Sequence, residues 1–184
     1  DYPTAYMWRD ILQADSLLDL LLHFIKRYDE SYEDRNTKEM KRRTVVIFPR
    51  YHQLRAVHKL RRLVEEEGVG HNYLIQHSAG SGKTKTMAWL AHQFTNMIDA
   101  NGAAVFDSII MVTDRIVLNR NMAEDVVNFE TTLGTVMDIR KRSKTLADAL
   151  NGKNRIIIST VQKFAYALDY LKHEQQKRYA VIID

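Results

Sequence analysis

The sequence predicts an α/β fold: a mostly parallel β-sheet with helices on both faces, preceded by a helical segment. Three observations carry that expectation. Short apolar runs at 108–112, 135–139, 155–159 and 179–183 alternate with stretches of helical periodicity, the rhythm of βα units in a parallel sheet. A loop of small residues, His77-Ser78-Ala79-Gly80-Ser81-Gly82-Lys83-Thr84, separates an apolar run from an amphipathic pattern. A chain of 184 residues that is 45% hydrophobic also holds enough apolar material for one domain with a core of its own.

Taken from the amino end, residues 6–28 read as a helix. Leu17, Leu18, Leu20, Leu21, Leu22, Phe24 and Ile25 form a dense apolar stripe, and Asp15 or Ser16 offers a cap. Residues 26–43 mix both charge signs and read as a solvated connector, so 1–43 is a segment ahead of a main domain over 44–184. Residues 44–48 are β-like, and Pro49 suits the first turn of a helix. Leu54, Val57, Leu60 and Val64 then recur at helical spacing until Gly68 and Gly70. Tyr73-Leu74-Ile75 reads as a short strand. Beyond the loop, a helix from Lys83 places Met87, Leu90, Ala91, Phe94 and Ile98 on one face, and Asn101-Gly102 breaks it. The four apolar runs named above are the remaining strands, with helices expected at 115–128, 144–150 and 161–172. Right-handed crossovers in such a sheet place ligands at the carboxyl ends of strands. The glycine loop and Asp184 both fall at such ends.

Composition excludes several classes. There is no cysteine, so neither a disulfide framework nor a thiolate metal site is possible. No apolar run approaches the length of a bilayer span, and no signal-peptide pattern opens the chain. The first residue is not Met, so the chain reads as a piece of a longer one. The net charge of +4 and pI of about 9.2 suit a polyanionic partner. With 27 basic residues interspersed among 23 acidic ones, charge alone fits an ordinary solvated surface equally well. His52 and His77 have no further ligands at metal-site spacing.

The loop carries the chemistry. The usual phosphate-binding pattern is G-x-x-x-x-G-K-[ST]; here Gly82-Lys83-Thr84 is kept and His77 stands in place of the first glycine. Ser78, Ala79, Gly80, Ser81 and Gly82 are small enough for backbone N–H groups to curl round an anion. The following helix aims its N-terminus at the same point. Lys83 would neutralise β- and γ-phosphate charge, and the Thr84 hydroxyl would ligate Mg²⁺. The plain alternative is a Gly/Ser turn with a chance Gly-Lys-Thr. Asp184, closing the apolar run 179–183, supplies a carboxylate able to hold Mg²⁺ directly or through water.

These motifs and their neighbours together resemble one family. Phe48-Pro49-Arg50-Tyr51-His52-Gln53 precedes the segment 72–84. Met87-Ala88-Trp89-Leu90-Ala91, Phe106-Asp107-Ser108, Val112-Thr113-Asp114-Arg115, Thr160-Val161-Gln162-Lys163-Phe164 and Val181-Ile182-Ile183-Asp184 follow. The set is similar to the motor part of the restriction (HsdR) subunit of type I restriction–modification enzymes, superfamily-two helicase-like DNA translocases. The resemblance covers 44–184, and 10–28 more loosely. It implies that 44–184 is the first RecA-like ATPase domain, a P-loop NTPase fold cut at its Walker B aspartate, Asp184. It implies ATP and Mg²⁺ as cofactors, with Lys83 and Asp184 catalytic. Gln53, with Arg50 nearby, resembles a motif that reads adenine, for which an amide can donate and accept at once; an ordinary surface glutamine is the alternative. Thr113, Asp114 and Arg115, with Thr160 and Lys163, resemble motifs that face the DNA backbone; helix caps and solvated charges are the alternatives. Double-stranded DNA and the methyltransferase (M) and specificity (S) subunits are the implied partners, in a bacterial or archaeal cytoplasm with no membrane involved. The family's nuclease, its second RecA-like domain and the glutamate after the matching aspartate are not in this sequence. The expectation is a chain that binds ATP without hydrolysing it alone; another superfamily-two translocase remains the other reading.

Overall fold

The charged stretch that follows the first helical segment is a β-hairpin. In a computed structural model describing residues 2–34, 36–114, 123, 125–129, 136–138, 146, 148–150, 154–163 and 177–184, Lys26–Glu33 (β1) pairs antiparallel with Met40–Ile47 (β2). This corrects the expectation of a solvated connector over 26–43. The physical reason lies in cross-strand pairing. Lys26, Tyr28 and Glu30 are half-buried while Arg27, Asp29 and Ser31 are exposed, the period of two of a one-sided strand. Opposite charges stand across the ladder. The Arg43 guanidinium donates to Glu30 Oε2 at 2.9 Å and lies 5.1 Å from the centroid of the Tyr32 ring, and the Thr44 hydroxyl donates to Asp29 Oδ1 at 2.8 Å. Such pairs contribute about 0.2–1 kcal/mol each. At the tip, Asp34 accepts the Asn36 N–H and the Lys41 ammonium, and Lys38 turns the chain with φ 59°.

The preceding segment is helical over less than 6–28. α1 (Ala14–Asp19) lies between two wide π-type turns, Met7–Ile11 and Leu20–Phe24, and the chain is extended from Ile25. Gln13 occupies the cap position and no side chain caps it, so neither Asp15 nor Ser16 serves as expected. Leu20 and Phe24 are buried, whereas Leu18, Leu21 and Leu22 are exposed.

Contacts divide the chain into two units, Asp1–Leu54 and Arg55–Asp184, with α2 (Tyr51–Glu67) running through the division. Gly68 ends α2, donating its N–H to the Val64 carbonyl at 3.0 Å from a left-handed conformation.

The second unit holds the sheet. Ser108–Thr113 (β3), Val136–Asp138 (β4), Ile156–Thr160 (β5) and Tyr179–Ile183 (β6) are all parallel, in the order β4-β5-β3-β6. Every residue of β3 and β5 is buried, as expected for central strands covered on both faces. Ile110, Val112 and Ile157 pack with Leu146, Ala149 and Leu150 on one face. Ile109 and Met111 are fully buried on the opposite face of β3. α3 (Lys83–Thr95) packs against β3 and β6.

Two expectations fail in this unit. Residues 71–78 are irregular, with Leu74 95% exposed, so no strand forms at 73–75. The Tyr73 hydroxyl instead donates to Glu67 Oε2 at 2.8 Å, holding the segment beside the end of α2. The helix after the loop ends at Thr95, before Ile98. Ile98 is exposed and bridges to Ala104 through its backbone, because the chain already turns at 96–102. Helix is present at 125–128, 148–150 and 161–163; the expected stretches 115–122 and 164–172 lie outside the described residues.

Candidate nucleotide site

The direction of α3 decides where its loop lies. Arg155, just before β5, donates its guanidinium to the Thr95 carbonyl at the end of α3. Immediately after the helix, the Met97 carbonyl accepts the Val105 N–H at 3.0 Å, shortly before β3 begins. The C-terminal end of α3 therefore sits at the amino edge of the sheet. A helix of 13 residues and a strand of six both rise about 20 Å. The first turn of α3, with Lys83 and Thr84, accordingly stands at the carboxyl edge.

The loop itself has the conformation that its small residues allow. Gly80 and Gly82 have φ 72° and 84°, values that L side chains avoid. The Ser81 N–H donates to the Ser78 carbonyl at 3.3 Å, tightening a turn whose outer residues, Ser78, Ala79 and Gly80, are exposed. Gly82 is the N-cap of α3 and brings no side chain to that position, and no acidic residue occupies the first turn. The positive end of the helix dipole favours an anion at this position. Lys83 Nζ makes one long hydrogen bond, 3.3 Å, to the Ser78 carbonyl. A phosphate oxygen would form a shorter, charge-assisted bond in its place. These features fit a nucleotide phosphate. Thr84, half-buried beside Lys83, offers the hydroxyl for Mg²⁺.

The strand ends bring other expected residues to the same edge. Thr113 lies in register with Thr160, and the Asp184 N–H donates to the Val112 carbonyl at 3.0 Å. Asp184 is exposed, placed as a carboxylate at the end of β6. Thr113 and Thr160 are buried, 0% and 6% exposed, so among the described residues the accessible polar groups of this rim include those of Asp114, Gln162, Asp184 and the half-buried Lys163. Arg115 lies outside the described residues. Gln162 was not singled out from sequence. It donates Nε2 to the Asp114 carbonyl at 3.3 Å and to its carboxylate at 3.4 Å, joining the ends of β3 and β5. Its place beside Lys163 in the Thr160–Phe164 run was the one available signal.

Arg50 and Gln53 belong to the first unit. Gln53 is 3% exposed. Its Oε1 accepts the Arg50 N–H at 2.8 Å, while its own N–H donates to the Arg50 carbonyl at 2.9 Å. This reciprocal pair closes the first turn of α2 in the manner of a capping box. Gln53 is therefore neither an ordinary surface glutamine nor an idle one. Among the described residues no group of three or more His, Asp or Glu could hold a metal ion, and a Mg²⁺ here would take phosphate oxygens and water among its ligands.

Comparison with known proteins bears on the family of the chain. A family model described as SWI2/SNF2 ATPase matches residues 52–184. The "Putative type I restriction enzyme MjaVIIP endonuclease subunit" of Methanocaldococcus jannaschii is 28% identical over 171 residues, covering 85% of this chain and 15% of that relative's length. The relative's name is that of the family the motifs resemble.

Proposed function

This chain belongs to the SWI2/SNF2 ATPase family, and from that premise we propose that it is the ATP-binding motor portion of a type I restriction enzyme R subunit. ATP–Mg²⁺ is held by the loop 78–84, with Lys83 on the β- and γ-phosphates, Thr84 and Asp184 on the metal, and Gln53 with Arg50 on adenine. Asp114, Arg115 and Lys163 line the path of double-stranded DNA, with Thr113 and Thr160 supporting it from the strand ends behind them. Closure against a second motor domain drives translocation along the duplex, and a separate nuclease domain cuts it. The methyltransferase and specificity subunits are its partners, in a bacterial or archaeal cytoplasm. Among the described residues no helix is long and apolar enough to cross a membrane.

One observation carries the reading: the helix start bearing Lys83 and Thr84 stands at the same sheet edge as the Asp184 strand end. What this chain's own residues do follows from that placement. Backbone N–H groups and Lys83 fix the phosphates electrostatically, in a geometry formed before the ligand arrives. Bound Mg²⁺ would neutralise charge on the transferring phosphoryl group. The test is the intact subunit assayed for DNA-stimulated phosphate release. Lys83→Ala is expected to abolish turnover, and unchanged turnover would remove the site assignment. Stimulation by duplex DNA and not by RNA separates this motor from an RNA helicase.

A further inference from the structure

Positions 85, 89 and 92 of α3 lie one turn apart on a single helical face, and each reaches the helical stretch at 125–128 or the residue after it. Lys85 Nζ pairs with Asp125 Oδ1 at 2.8 Å. The Trp89 and Phe129 rings stack at a 5.1 Å centroid distance, tilted by 37°. His92 Nε2 lies 2.9 Å from the Val126 carbonyl. Trp89, Val126 and Phe129 are essentially inaccessible to solvent. The lower two contacts would be enough to pack the helices together. The ion pair is of another kind. It falls in the first turn of α3, two residues after Lys83 and one after Thr84, and the Asp125 carboxylate is largely withdrawn from water at 16% exposure. A pair so placed is screened less than a surface pair, and it fixes the rotation and tilt of the one turn whose position matters to a phosphate. The stretch holding Asp125 is also the next described element after Thr113 and Asp114 at the end of β3.

We propose that Asp125 is a positioning residue of the phosphate site. Its ion pair with Lys85 holds the first turn of α3, with Lys83 and Thr84, and ties that turn to the helical stretch at 125–128. The inference rests on the reading of loop 78–84 as an ATP–Mg²⁺ site. Asp125 touches neither phosphate nor metal; it acts through Lys85. Lys85 points some 200° round the helix from Lys83, so it is a tether and not a second phosphate ligand.

The experiment measures ATP–Mg²⁺ affinity by equilibrium titration of the 184-residue chain, at a temperature where circular dichroism shows each variant fully folded. Asp125→Asn and Lys85→Gln are each expected to weaken binding about fivefold, and the exchanged pair Lys85→Asp with Asp125→Lys to recover most of the loss, as coupled neighbours do. A role confined to packing would lower the melting temperature and leave the affinity of the folded protein unchanged, and that result overturns the proposal. So does an exchanged pair that binds no better than the weaker of Lys85→Asp and Asp125→Lys alone. If Asp125→Asn fails to fold, Lys85→Gln, which removes the more exposed partner, makes the same comparison. A wild-type chain that does not bind ATP–Mg²⁺ at all, by contrast, sinks the reading of the loop and this inference with it.

Discussion

At the residue scale the site is a set of local decisions. Gly82 must combine φ 84° with the start of a helix, which L residues do at a cost of roughly 1–2 kcal/mol. Gly82→Ala is therefore expected to destabilise the second unit by about that amount and to weaken ATP binding further, because the N–H groups it orients would rotate; thermal melts and nucleotide titration measure the two effects. Gln53 poses a sharper question, because one amide is asked to cap a helix and to read a base. Its Oε1 already accepts the Arg50 N–H at 2.8 Å, and a carbonyl oxygen has a second lone pair to offer. Gln53→Ala removes both roles and should cost about 1 kcal/mol of stability. Gln53→Glu keeps the capping oxygen and removes the amide donor; at 3% exposure the carboxylate also carries a burial cost, so the variant should melt lower than wild type and, measured while folded, lose preference for ATP over GTP. A Gln53→Glu protein that retains full adenine preference would leave the residue a cap alone. The glycine loop was legible because its chemistry is contiguous in sequence. The double use of Gln53 was not, since nothing in a sequence shows which backbone group an amide will meet, and the 40-residue separation of Lys85 and Asp125 hid their pair for the same reason.

At the scale of elements, the central strands and the second half of β2 were legible, and β1 with the first half of β2 was not. β3 and β5 are continuous apolar runs because both of their faces are covered. The β-like run 44–48 supplies the second half of β2, whereas β1 and residues 40–43 carry no such run. Their alternation is written in charges whose meaning depends on register, and with Lys26 opposite Ile47 and Glu30 opposite Arg43 the same residues that suggested a solvated connector become cross-strand partners. The failed strand at 73–75 errs the other way: three apolar residues met the compositional signal without meeting a partner strand. The hairpin tip carries a pH dependence of definite sign. The Lys41 ammonium, then the Asn36 and Thr37 N–H groups, hold the Asp34 carboxyl below its ordinary value of 3.8. A depressed folded pKa means that the unfolded chain binds the proton more readily. The contribution of Asp34 is thus fully present above the ordinary carboxylate value and is lost as pH falls through the depressed one. Thermal melts between neutral pH and strong acid should show a slope in that window which Asp34→Asn removes, and which salt diminishes because the pair is exposed. An identical slope in the variant would assign the acid sensitivity elsewhere.

At the scale of the whole molecule, the parallel sheet implies an ordered gradient of stability. β3 is flanked by β5 and β6, and β5 by β4 and β3, whereas β6 has one partner among the described residues. Its Val181 and Ile183 are 55% and 70% exposed. In a parallel strand, alternate residues direct their N–H groups to opposite sides. Because the Asp184 N–H donates to Val112, those of Ala180 and Ile182 face β3 as well, and those of Val181 and Ile183 face outward. Amide hydrogen exchange should therefore be slowest in β3 and β5. Within β6, Ala180 and Ile182 should exchange more slowly than Val181 and Ile183 by at least about tenfold, and residues 71–78 should be among the fastest. Saturating ATP–Mg²⁺ should add protection at 79–85, where the phosphates bind, and least at the hairpin tip. If Val181 and Ile183 exchange as slowly as Ala180, a further strand covers the outer edge of β6 in solution. Within this chain the segment fitted to be that strand is 73–75, whose apolar residues run directly into the loop, and protection would then appear there as well. The two patterns are mutually exclusive, so a single exchange experiment decides whether the loop hangs from the end of α2 or is anchored by the sheet.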